Sequence, residues 1–373
     1  MIIITTQCFY PSIGGIEALM TGMAESMSAI GEDVLVLADG KDDLDKGKNY
    51  NYSIKRFHGW KPLRRLLKAR YLEKVCTERN VKLIYADSWK SIEHINKKNK
   101  KVLVLAHGTE IPKQYWTLMI DTLRFKKKRI INSYKDVYKI IANSNYTKDL
   151  MRASLKINHD KIKIIHPGID VYSEFISNNE KKYVQDIIGN RQPVITTLAR
   201  VEKRKGHIFI INAINEIKNK YPDLIYLIAG KGPHLENIKK YVKKLNLENH
   251  VKFLGWITEP EKSLILKNSD IFAMTPVVIG ESVEGFGMAF IDAAFNGIAT
   301  IGSDSGGIKD AILDGQTGIV CEANNQSNIT FNLNKLLENK KLRDKYGLYG
   351  KKIAIERYSW SKKIYEYLNA AID

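Results

Sequence analysis

Short apolar runs alternate with amphipathic helical stretches along the whole chain. In the first half, Ile2–Thr5, Val34–Ala38, Leu83–Ala86, Val102–Ala106 and Ile140–Ala142 are apolar runs of strand length. Between the first two, Ile16, Leu19, Met20, Met23, Ala24 and Met27 share one face of a helix predicted over Ile16–Ile30. Strands that alternate with helices predict a parallel sheet covered on both sides.

The second half restarts the pattern. Val194–Leu198, Ile225–Ala229, Val251–Leu254, Ile271–Met274 and Ala299–Ile301 read as strands. Ile208–Lys220, Leu235–Leu245, Glu261–Lys267 and Met288–Asn296 read as helices, as does the last segment, Lys351–Ala371. Between the halves, His166-Pro167-Gly168-Ile169-Asp170 is followed by a polar stretch to about Asn190. The restart predicts two doubly wound α/β domains, 1–175 and 176–355, with a ligand in the cleft at the carboxyl ends of the strands.

Length agrees with two domains, since 373 residues exceed one typical core. There is no run of 18 apolar residues, so no transmembrane helix is expected. Met1–Thr6 lacks a basic segment before it and reads as a first strand rather than a signal peptide. Cys8, Cys76 and Cys321 are far apart and form no disulfide or zinc spacing, which points to a reducing cytoplasm.

Charge adds something the periodicity does not. The net +18 is concentrated in residues 51–150, which hold 24 Lys and Arg against 8 Asp and Glu. Such a field attracts nucleic acid or an anionic membrane. Two helical stretches there, Trp60–Arg79 and Tyr115–Ile131, interleave aromatics and leucines with Lys and Arg. They read either as core-facing helices with wet basic faces or as a docking face for anionic lipid.

The densest chemistry lies in Glu284-Gly285-Phe286-Gly287-Met288, with a second acid at Asp292. Strand, glycine turn and helix N-terminus form an anion-binding arrangement. Carboxylates on either side could hold hydroxyls, which suggests a sugar nucleotide. Arg200 and Lys205 follow the strand Val194–Leu198 and read as a solvated loop or as a pair of cations for a diphosphate. Gly230-Lys231-Gly232 reads as a turn, or as backbone open to a base or ribose. Gly14-Gly15 suggests close approach of a ligand or a mobile loop. His107, at the end of the strand Val102–Ala106, reads as structural or as a polar group at the cleft. Asp43 and Asp45 have a D-x-D spacing but sit in a lysine-laced loop, so no metal is expected.

Taken in order, these segments resemble the retaining family 4 glycosyltransferases of the GT-B fold, and the likeness covers nearly the whole chain. It is carried by Arg200 with Lys205-Gly206, Gly230-Lys231-Gly232-Pro233, Val251–Gly255, Glu284–Gly287 and Asp304-Ser305-Gly306-Gly307 through Gly318. Gly14-Gly15, His107-Gly108 and Ala142-Asn143-Ser144 match in the first half. The form Val283–Gly287 is similar to the bacterial mannosyltransferase-like subgroup with lipid acceptors.

The resemblance implies a metal-independent hexosyltransferase without a cofactor. Its donor would be GDP-mannose or a UDP-hexose or UDP-N-acetylhexosamine. Its acceptor would be a lipid-linked saccharide in O-antigen, capsule or glycolipid synthesis, met at the inner face of the cell membrane through residues 51–150. By the same likeness Glu284 holds sugar hydroxyls, Phe286 and Gly287 meet sugar and phosphate, and Arg200 and Lys205 stabilise the leaving diphosphate. His107 lies by the sugar, Gly14 and Gly15 frame the acceptor side, and Gly232 and Ile257 border the base. Asp292 stands where the family has glutamate, so its contact to the ribose would be weaker or carried by water. The chain's end, 356–373, is expected to return to the first domain. A cytosolic transferase with a soluble acceptor shares the donor site but needs no basic patch. A nucleic-acid-binding protein leaves the carboxylates and glycine loops without a purpose.

Overall fold

The computed structural model of the chain describes residues 1–111, 120–169, 176–280 and 282–372. It divides into two compact units, Met1–Asp170 with Tyr358–Asp373, and Val171–Arg357.

In the first unit the strands are β1 (Ile2–Thr6), β2 (Val34–Asp39), β3 (Ser53–Phe57), β4 (Leu83–Ala86), β5 (Val102–Ala106), β6 (Lys139–Ala142) and β7 (Ile162–Ile164). They form one parallel sheet in the order β3-β2-β1-β4-β5-β6-β7. Successive side chains leave a strand on opposite faces, so an apolar run feeds two cores. Ile3, Leu35, Leu37, Ile84, Val102 and Val104 pack on one side with Ala69, Leu72 and Val75 of the helix Lys61–Glu78. Ile2, Ile4, Val34, Val36, Tyr85 and Leu103 pack on the other with Leu19, Met20, Met23 and Met27 of the helix Gly15–Ala29.

Trp360, Ile364 and Tyr367 join that second core, and the Tyr85 hydroxyl donates to the Tyr367 carbonyl at 2.7 Å. The last segment is not the single helix expected over Lys351–Ala371. It is two helices, Lys340–Tyr358 and Trp360–Asn369, broken at an extended Ser359 (φ −61°, ψ 136°). The break has a partner. Ile169 N donates to Tyr358 O at 2.8 Å and Trp360 N to Ile169 O at 3.3 Å, which an unbroken helix would forbid.

In the second unit the strands are β8 (Val194–Leu198), β9 (Ile225–Ala229), β10 (Val251–Gly255), β11 (Ile271–Ala273), β12 (Ala299–Ser303) and β13 (Gly318–Cys321). They form a second parallel sheet, ordered β10-β9-β8-β11-β12-β13. One face packs on the helices His207–Ile217, Leu235–Lys244 and Gln326–Glu338. Val194, Ile225 and Leu227 on the other face meet the helices Asn178–Ile188 and Glu259–Lys267. The latter starts two residues earlier than the periodicity predicts. Thr258 and Glu261 form a reciprocal capping box, and Pro260 is tolerated in the first turn.

The doubly wound α/β reading therefore holds for both units. The strands β3, β7 and β13 were absent from the predicted set. The helix expected over Tyr115–Ile131 is observed as Ile120–Tyr134. Its expected Trp116 and Met119 lie outside the described residues.

Candidate active site

In each sheet one strand has neighbours from both directions of winding. Loops on either side of that switch diverge and leave room at the carboxyl ends of the strands. In the second unit the switch lies between β8 and β11. The loop after β8 carries Arg200 to Lys205, and the loop after β11 carries Glu284.

The protein stitches these two loops together. Val277 N donates to Arg204 O at 2.8 Å, and the Thr275 hydroxyl donates to Gly206 O at 3.1 Å. Gly206 has a φ of +74°, and a Cβ there would stand 1.8 Å from Thr275 O, so only glycine fits. Lys203–Lys205 form a single 3-10 turn, from which Arg204 and Lys205 reach the opposite loop.

Glu284 is where they meet. Its Oε2 accepts from Arg204 Nη1 at 2.6 Å and from Lys205 Nζ at 2.5 Å. The side chains of Arg204, Lys205 and Glu284 are 18%, 11% and 14% exposed. Burial by itself would raise the Glu284 carboxyl. Lys205 and Arg204, by charge and hydrogen bond, outweigh burial and hold it below the ordinary carboxylate range.

Arg200 is placed differently. Its side chain is 70% exposed and pairs with Glu202 Oε1 at 3.1 Å. Glu202 Oε2 also takes Arg204 Nε at 3.0 Å. Arg204, which the sequence reading passed over, is thus the second cation on Glu284. The available signal was its place beside Lys205 in a turn closed by glycine.

The glycine loop is shaped by its own neighbours. Gly287 (φ +94°) caps the helix Met288–Phe295, and a Cβ there would stand 2.8 Å from the Phe290 ring. Phe286 is buried at 2% exposure, Gly285 and Met288 only partly. Gly307 N donates to Glu284 O at 2.9 Å, and a Cβ on Gly306 would lie 2.1 Å from that oxygen. The loop after β12 therefore fixes the backbone of Glu284.

Gly230 and Gly232 admit the protein's own backbone. Their Cβ positions fall 2.0 Å from Ala199 O and 2.4 Å from Val201 O. Lys231 between them is exposed, and Ile257 packs partly buried against the core beside β8 and β9. Asp292 lies in the helix Met288–Phe295 and pairs with Lys262 Nζ at 3.4 Å.

In the first unit the switch lies between β1 and β4. Asp87, just after β4, is 2% exposed and accepts from Gln7 N (2.7 Å), Ser91 Oγ (2.6 Å) and Thr6 Oγ1 (3.1 Å). His107 follows β5, is 8% exposed, and sets Nε2 2.8 Å from the Asp87 carbonyl. A carbonyl only accepts, so Nε2 carries the hydrogen of this contact. Asp87 was not singled out from sequence, because one acid at a strand end has no distinguishing pattern.

Gly14 is extended (φ 168°), a conformation open to any residue, and precedes the helix that Gly15 begins. The Glu17 carboxylate folds back over it. Asp45, one of the D-x-D pair, is bound by Arg56 Nε at 2.6 Å and Nη2 at 2.7 Å. Among the described residues no three His, Cys, Asp or Glu form a group able to hold a metal.

Two doubly wound α/β domains, with cations and a carboxylate gathered at the switch of the second, define a two-domain Rossmann-like class. A model described as Glycosyltransferase Family 4 matches residues 13–172, and one described as Glycosyl transferases group 1 matches residues 178–353. The chain belongs to the family 4 glycosyltransferases and has their GT-B fold.

It is 26% identical over 264 residues to the GDP-mannose-dependent alpha-(1-6)-phosphatidylinositol monomannoside mannosyltransferase of Mycolicibacterium smegmatis, covering 70% of this chain and 67% of that one. It is 24% identical to the corresponding monoacylated-acceptor mannosyltransferase of Corynebacterium glutamicum, covering 96% and 94%. The crystal structure of Anabaena Alr3699/HepE in complex with UDP is similar in fold, with a TM-score of 0.78, 17% identity and 99% of each chain covered.

Proposed function

We propose that the chain is a retaining hexosyltransferase that moves mannose from GDP-mannose to a lipid-linked saccharide in cell-surface glycan synthesis. The observation that carries the reading is the ion-paired Glu284 at the switch point, where Lys205 and Arg204 concentrate positive charge. The names of the mycobacterial and corynebacterial relatives support GDP-mannose over a UDP-hexose donor and favour a lipid acceptor.

In this reading Glu284 binds donor-sugar hydroxyls, with the Phe286 and Gly287 backbone beside them. Lys205, with Arg200 joining from the exposed side, stabilises the leaving diphosphate as charge develops on it. The bond from C1 to the phosphate oxygen breaks. The acceptor oxygen bonds to C1 on the same face, and its proton passes to the departing diphosphate. These cations support chemistry that needs no divalent metal, so activity should survive EDTA. His107 is proposed as the catalytic group of the first unit, and the basic 51–150 region as its contact with anionic membrane.

The test is transfer from GDP-mannose, UDP-glucose and UDP-N-acetylglucosamine by wild type and Glu284→Ala. Loss of transfer is expected, and undiminished turnover sinks the assignment. Proton NMR of the product reads the anomeric outcome.

A further inference from the structure

Lys205 has two partners to serve in that reading. It holds Glu284 and is also called on by the diphosphate of the donor. A carboxylate that lost its only cation to the diphosphate would lose its alignment and gain a reason to protonate. The structure supplies a second cation with its own support. Arg204 Nη1 reaches Glu284 Oε2 at 2.6 Å, while its Nε is anchored on Glu202 Oε2 at 3.0 Å and its carbonyl on Val277 N at 2.8 Å. Both cations converge on Oε2, and among the described residues none of the hydrogen bonds is to Oε1.

We propose that Arg204 is a positioning residue for donor recognition. It clamps Glu284 through Oε2, keeps it ionised, and presents Oε1 to a sugar hydroxyl while Lys205 is released to the diphosphate. The planar guanidinium suits this task, because it can hold Glu202 and Glu284 with different nitrogens at once. Lysine offers a single point charge. The charged groups facing Glu284 are Arg204 and Lys205, with Glu202 behind Arg204. The inference rests on the donor-site reading of Glu284.

The experiment compares Arg204→Met and Arg204→Lys with wild type. Binding of GDP and of GDP-mannose is measured by calorimetry, alongside UDP and UDP-glucose. The pH profile of kcat/KM is recorded with whichever donor turns over. A clamp predicts that Arg204→Met weakens sugar-nucleotide binding by roughly tenfold or more while the free nucleoside diphosphate changes by less than about twofold. The acid limb of the profile should move up by about one pH unit. Arg204→Lys should restore the acid limb but only part of the affinity, and it keeps the test open if the methionine variant fails to fold.

Equal loss for nucleoside diphosphate and sugar nucleotide would overturn the clamp and make Arg204 a direct diphosphate ligand. Wild-type behaviour of both variants would also overturn it. Failure of the underlying reading looks different, since Glu284→Gln would then leave sugar-nucleotide binding intact.

Discussion

The Trp360 indole lies so close to Gly22 that a Cβ on Gly22 would stand 2.1 Å from Nε1. The same ring lies against Gly168, where a Cβ would fall 2.4 Å from Cδ2. Trp360 is 4% exposed, so the returning C-terminal helix is docked by an aromatic seated on two glycines. Gly22→Ala gains about 1 kcal/mol in helix propensity, yet should lose more by overpacking, which costs about 1–3 kcal/mol. A net fall in thermal midpoint is expected. Trp360→Ala should cost about 3–5 kcal/mol by cavity formation. A stabilised Gly22→Ala variant would show that the helix Trp360–Asn369 is free to shift.

Two glycines, one in each unit, should respond in opposite ways to alanine. At Gly206 the left-handed backbone and the Thr275 carbonyl leave no room, and strain on the order of 1–3 kcal/mol is expected together with displaced Lys205. At Gly14 the backbone is extended and the obstructing atom is the end of the flexible Glu17 side chain. Gly14→Ala should therefore fold as well as wild type. Chemical denaturation of both variants, followed by donor titration, reads the contrast.

His207 sets an acid limit on stability. It is 2% exposed, and burial, aided by Lys205 and His234, pushes its pKa down to about 4 from an ordinary 6.5. The folded state keeps the ring neutral, while the unfolded chain takes up a proton below about 6.5. This contribution is complete above pH 6.5 and is lost as pH falls towards 4, by on the order of 3 kcal/mol. Among the described residues neither ring nitrogen has a hydrogen-bond partner, so an apolar ring is a fair replacement. His207→Phe should flatten the stability curve between pH 6.5 and 4 in urea titrations, and an unchanged slope would refute the assignment.

The membrane reading now has a defined stripe. Trp60, Leu63 and Leu67 are 74%, 50% and 43% exposed, while Leu72 and Val75 further along the helix Lys61–Glu78 are buried. Spaced at three and four residues, the exposed ones share one side, next to Lys61 and Arg64. Replacing all three with serine should reduce co-sedimentation with phosphatidylglycerol vesicles several-fold at unchanged thermal midpoint. Salt should weaken the wild-type binding too. Wild-type protein that ignores anionic vesicles at low salt would favour the soluble-acceptor alternative. Among the described residues no helix is long and apolar enough to cross a membrane.

Local pattern was enough wherever a strand is apolar throughout. Leu83–Ala86, Val102–Ala106 and Ile225–Ala229 have the same bounds in sequence and structure, because both faces of each are buried and no hydroxyl-only or charged residue blurs the run. Val194–Leu198 keeps its bounds too, with Thr196 and Thr197 buried and their hydroxyls bonded to Ser269 and Tyr226. β3 escaped because it is an edge strand reading Ser-Ile-Lys-Arg-Phe. Its Arg56 is buried with Asp45, eleven residues away, as ion-pair partner and the Asp39 and Tyr10 carbonyls as further acceptors. β13 opens on a glycine, and β7 is three residues long.

The family motifs name the loops of the second unit, and the alternation of strands and helices brings those loops to one switch point. Which side chains then touch is a matter of packing. Arg200 and Lys205 are equally basic on paper, yet the 3-10 turn and Gly206 send Lys205 and Arg204 to Glu284 and leave Arg200 in solvent. The pairing of Ile169 with Tyr358 and Trp360 likewise joins residues nearly two hundred positions apart. Such contacts depend on long-range closure and complementary shape. A single sequence carries local periodicity plainly and these relations only in the folded chain.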